Sequence, residues 1–173
     1  RDGGSGATAY ADAITTYLAF VVDKCLDFNC TISTWDSTNL KIRNVFARQA
    51  IPMTWDYAEV NPFSRKLASW DSQIRGLVGA IRDCLVPMAV TGDAVQRDAR
   101  VRVREATGAV VSTDPPYYDN ISYADLSDFF FVWLRRNLAD VWPDECATLL
   151  TPKADELIAN RYRAGSKEAA EEH

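Results

Sequence analysis

Asp114, Pro115, Pro116 and Tyr117 carry the most distinctive chemistry in this 173-residue chain. They follow an apolar run, Gly108-Ala109-Val110-Val111-Ser112, whose residue types predict a short buried strand. Proline has no N–H and a fixed φ, so a sheet stops where two prolines follow one another. The residue before a proline is held out of the helical region, which keeps Asp114 and Pro115 extended. The expectation is a stiff loop at the carboxyl end of a strand, the place where open α/β sheets bind ligands. The Asp114 carboxylate and the Pro115 carbonyl make a pair of acceptors. Set against the two N–H bonds of an aromatic amine, such as that of adenine, the pair would localise the nitrogen lone pair toward a methyl donor. Tyr117 offers a flat face to an extruded base, a contact worth about 1–3 kcal/mol. Tyr118, Asp119 and Asn120 extend the loop and are candidates to line the base pocket. Asp119 and Asn120 equally suit the cap of the next helix. The plainer alternative is a proline-rich turn with an exposed aspartate, since Asp-Pro pairs start turns.

Asp-Pro-Pro-Tyr after a hydrophobic strand resembles the catalytic motif of S-adenosylmethionine-dependent amino methyltransferases, especially those acting on adenine in DNA. The longer run from Thr113 to Arg136, TDPPYYDNISYADLSDFFFVWLRR, is similar to one branch, the large DNA methylases of bacteria and archaea. Phe46 to Phe63 and Glu156 to Glu172 resemble the same branch, so the likeness covers most of the chain. It implies an α/β fold: a partial Rossmann-like methyltransferase with a large helical insertion, helix-rich overall. It also implies catalysis by Asp114, Pro115, Pro116 and Tyr117, with S-adenosylmethionine as cofactor and DNA as the partner of the full-length protein. Val90-Thr91-Gly92-Asp93-Ala94 looks like the family's strand-end Gly-Asp-Ala, which implies that Asp93 lies near the adenine half of the donor. A Gly-Asp turn is also an everyday loop.

One family feature has no counterpart. These enzymes cradle the methionine end of the donor in a glycine-rich loop after a strand. Of the eight glycines, Gly3, Gly4 and Gly6 follow no apolar strand, and Gly76 and Gly79 fall inside a helical pattern. The loop is expected upstream of Arg1. Arg1 is not an initiator, and the last residues break off in a helical run. The chain therefore reads as a fragment of a longer enzyme, with an incomplete donor site and no activity when isolated.

Nineteen basic residues against twenty-four acidic ones leave a formal charge of −5. An acidic segment does not grip phosphates by bulk charge, so a DNA-binding surface should come mainly from elsewhere in the protein. The four cysteines form no C-x-x-C pair and there is one histidine, which predicts no metal site. The absence of a visible secretory signal suits reduced thiols in a cytoplasm. The longest apolar stretch, in Ala13–Val22, is too short for a membrane span.

These residues must be positioned by a helix-rich chain. Ala7 to Phe28 predicts a long helix with an apolar stripe of Tyr10, Ile14, Tyr17, Leu18, Val21, Val22 and Cys25. Ser33 or Asp36 is expected to cap a second helix running to about Arg48, and Ile51-Pro52 to end it. A third helix is expected from Ser69 or Asp71 to about Leu85. Val86–Thr91 and Ala99–Val103 suit strands. A helix should open near Ser122–Asp128, with Leu126, Phe129, Phe130, Trp133 and Leu134 on its apolar side. A polar helix should follow Lys153, interrupted near Gly165. The expected domains are 1–85, mostly helical, serving as insertion, recognition region or lid; 86–150, carrying the catalytic loop; and 151–173, a polar helical tail. Two functions stand: part of an adenine-specific DNA methyltransferase, or a helical binding and scaffolding module that keeps the motif without its chemistry.

Overall fold

A computed structural model describes residues 5–57, 59–66, 68–84, 98, 110–154 and 156–172. The chain divides into two units, Arg1–Leu85 with Tyr123–Pro152, and Val86–Ser122 with Lys153–His173. The helix after the Asp-Pro-Pro-Tyr loop thus belongs to the first unit, where the sequence assigned residues up to 150 to the catalytic-loop region.

The first unit is built on three helices, α1 (Ala7–Leu26), α2 (Trp70–Cys84) and α3 (Tyr123–Leu138). Between α1 and α2 lies a small antiparallel hairpin, β1 (Trp35–Asp36) and β2 (Lys41–Ile42), with Trp35 opposite Ile42. Helix α1 packs against both α2 and α3. Ala19, Leu138 and Cys146 form a buried cluster, with Leu134 and Trp142 packed on it. The Trp142 indole N–H donates to the Thr16 hydroxyl at 2.9 Å, tying the segment after α3 to α1. Among the described residues, no helix is long and apolar enough to cross a membrane.

Four sequence expectations need correction. Val21 is buried, but Tyr10, Ile14, Tyr17 and Leu18 of the predicted α1 stripe remain exposed, and the small Ala19 makes the close approach instead. The second helix does not form. Asp36 Oδ1 accepts from the N–H groups of Thr38 and Asn39, and Oδ2 accepts from the Asn39 amide at 2.9 Å. That local turn competes with a helix. Leu40, Phe46 and Gln49 have positive φ, which a helix forbids. The hydrogen bonds from Asn39, side chain first, hold the Asp36 carboxyl below its ordinary range. Val110–Ser112 is not a buried strand: it has no regular structure, and Val110 is 95% exposed. Two valines beside a double proline have β propensity, but propensity expresses packing against strand neighbours rather than an intrinsic preference. The polar tail breaks at Gly165 (φ 86°) as the sequence predicts, but it is not helical from Lys153: its helices are α4 (Arg161–Ala164) and α5 (Lys167–Glu172).

The partial Rossmann-like fold is therefore met only in its coarser form, a helix-rich chain with a two-stranded sheet. The expected strands over Val86–Thr91 and Ala99–Val103 lie outside the described residues.

Candidate functional site

The second unit holds the Asp-Pro-Pro-Tyr stretch. Asp114, Pro115, Pro116 and Tyr117 run without regular structure and are exposed, Tyr117 by 64%. A turn follows at once. The Asn120 N–H donates to the Tyr117 carbonyl at 3.1 Å, folding Tyr118, Asp119 and Asn120 back on the motif. Helix α3 then begins at Tyr123, close to where the acid-rich start predicts it.

The loop is held from below by residues far along the chain. The Ala159 N–H donates to the Tyr118 carbonyl at 2.8 Å. The Asn160 amide donates to the Ser122 hydroxyl at 2.9 Å. The Asn160 side-chain Oδ1 meanwhile accepts from the N–H groups of Tyr162 and Arg163 at 3.0 and 3.3 Å, capping α4. One side chain thus starts a helical turn and clamps the end of the loop. Arg163 pairs with Glu156 at 2.5 Å, and Gly165 closes the turn in the left-handed conformation.

Between the loop and this turn lies a cleft of about 410 Å³ lined by Tyr118, Asp119, Asn120, Arg161, Tyr162 and Lys167, among others. All three base-pocket candidates therefore share one concavity. Asp114, Pro115, Pro116 and Tyr117 are not among its walls. The Arg161 guanidinium lies 4.8 Å from the centre of the Tyr162 ring and donates to the Tyr162 hydroxyl at 2.8 Å. Sequence reasoning missed Asn160, Arg161, Tyr162 and Lys167. Their signal was the aromatic between two arginines just before a glycine.

The aromatic and acidic stretch at Trp55–Phe63 belongs to the first unit. Tyr57, Glu59 and Val60 line a separate cavity there with Asn29, Cys30 and Thr31. Phe129 and Phe130 are committed to packing: they and Phe46 meet edge to face, with centroids 5.0 to 6.1 Å apart.

The described residues include no glycine-rich loop after a strand that could cradle S-adenosylmethionine. A donor cradle needs glycines where backbone must approach a ligand. Gly76 and Gly79 are inside α2, and Gly6 and Gly165 serve helix ends. Asp93, assigned to the donor by resemblance, lies outside the described residues. No protein-family model, curated protein or solved structure matches the chain.

Proposed function

We propose that this chain is the base-handling portion of an adenine-specific DNA methyltransferase, which moves a methyl group from S-adenosylmethionine to the exocyclic amine of a flipped adenine. The observation that carries the reading is the Asp-Pro-Pro-Tyr sequence, standing as an exposed non-helical segment beside a cleft walled by its own next three residues. The Asp114 carboxylate and the Pro115 carbonyl accept the two N–H bonds of the amine. Tyr117, with an exposed ring, stacks on the base. As positive charge grows on the nitrogen the charged acceptor gains most, which is how a preorganised electrostatic partner lowers a barrier. The donor is held by residues outside those described. In this reading the isolated chain is inactive, and the protein works in a cytoplasm with DNA as its partner.

The exposure of Val110 and the lack, among the described residues, of a glycine-rich loop after a strand favour a second reading for the isolated chain, a binding or scaffolding module that performs no chemistry. One experiment separates the two. The full-length protein is incubated with isotopically labelled S-adenosylmethionine and adenine-containing DNA, and the nucleosides are resolved by mass spectrometry. Labelled N6-methyladenine is the expected product. Its absence under conditions where the donor binds supports the scaffold.

A further inference from the structure

We propose that the cleft between Tyr118–Asn120 and Arg161–Tyr162 docks unpaired nucleotides of single-stranded DNA, through base stacking on Tyr162 and one phosphate contact from Arg161. The proposal rests on the methyltransferase reading for its choice of nucleic acid, and it assigns a role to residues outside the motif. Tyr162 is 82% exposed although a guanidinium lies over its ring, so a broad aromatic surface is left for a partner. Every base has a π-face, and an aromatic platform backed by arginine is how single strands are gripped without regard to sequence. The opposite wall carries Asp119 and Asn120, whose carboxylate and amide suit the donor and acceptor edges of bases.

Charge decides between single strand and duplex. Lys167 lies 3.6 Å from Glu171 on α5, and both line the cleft, so its charge is largely offset. Asp119 and Arg161 add one charge of each sign to the lining. A nearly neutral cleft cannot track the closely spaced phosphates of a duplex, but it can stack one or two unpaired bases. The volume of about 410 Å³ suits so small a segment. The turn that carries Arg161 and Tyr162 is bonded to the loop by Asn160 and Ala159, so both walls are held in one frame.

The test is fluorescence anisotropy of a labelled single-stranded DNA oligonucleotide with the whole chain, and with the same sequence as a duplex. No methyl donor is present, so the result does not depend on chemistry: oligonucleotide binding by the chain, with no labelled N6-methyladenine formed by the full-length protein, leaves the docking site standing and removes only the catalytic reading. Single strand should bind more tightly than duplex. Tyr162→Ala should weaken it by roughly tenfold, the scale of one lost stacking contact, while Tyr162→Phe should retain it. Tyr162 is exposed, so neither change disturbs a core. Arg161→Gln should lower the slope of log affinity against log salt by about 0.7, one phosphate's share on a single strand. Undetectable binding, preference for duplex, or unchanged affinity in Tyr162→Ala overturns the proposal.

Discussion

Among the described residues, Asp23 is the one whose carboxyl burial shifts furthest. It sits on α1 beside a cavity bounded by Phe20, Lys24, Asp27, Asn44, Val45, Phe130 and Leu134. Its Oδ1 is buried and, among the described residues, has no hydrogen-bond partner. Burial pushes its carboxyl up from an ordinary value near 3.8 to about 7. Its neighbour Asp27 is well partnered, accepting the Val45 N–H at 2.9 Å and the Asn44 amide, with Lys24 at 3.6 Å. A carboxyl whose pKa is raised on folding adds stability that is complete below its unfolded pKa and is lost as pH rises through the folded one. The contribution of Asp23 therefore declines between about pH 4 and pH 7. Asp23→Asn should leave stability nearly unchanged at pH 4.5 and raise it at pH 8 by on the order of 1–2 kcal/mol, a figure discounted for partial exposure. Urea unfolding of both proteins at the two pH values checks this. A difference that does not change with pH would show that Asp23 is not held protonated.

Among the elements, the one that supports the candidate site most directly is the turn at Asn160. Asn160→Ala removes both the α4 cap and the bond to Ser122, and should cost about 1–2 kcal/mol locally. Hydrogen exchange at the amides of Tyr162 and Arg163 should accelerate by tenfold or more, while α1 amides stay unchanged. Equal acceleration in both places would mean that the clamp is not local. Much of the helical framework was legible: α1, α2 and α3 follow from apolar periodicity, from Ser69 ahead of Trp70, and from the acid-rich start near Tyr123. Ser69 accepts the Ser72 N–H at 3.3 Å, as a cap should. The predicted helix after Ser33 failed because Asp36 and Asn39 bond to one another and to nearby backbone, a local solution that periodicity does not register. The Ser33 hydroxyl donates to the Asp27 carbonyl instead of capping a helix. The strand at Val110 failed for a different reason. Strand formation depends on neighbours elsewhere in the chain, and a run of five apolar or small residues carries no information about them. The clamp at Ala159 and Asn160 was not legible because its partners, Tyr118 and Ser122, lie about forty positions earlier.

At the scale of the whole molecule, two features work together: an acidic chain with a motif suited to an amine, and no glycine cradle for a donor among its described residues. Calorimetric titration of the chain with S-adenosylmethionine should give weak binding or none, because the methionine end would have no backbone to hold it. A one-to-one isotherm with a micromolar Kd would show that the chain holds the donor by itself. The central claim concerns Asp114, and single-turnover methylation of adenine in DNA by the full-length protein tests it most directly. Tyr117→Phe should keep most of the activity, because stacking needs a ring and no hydroxyl. Asp114→Ala should slow methyl transfer by about a hundredfold or more, the scale of losing one preorganised electrostatic partner, with donor affinity little changed. Transfer at the wild-type rate in Asp114→Ala would contradict the assignment and leave the motif as a turn.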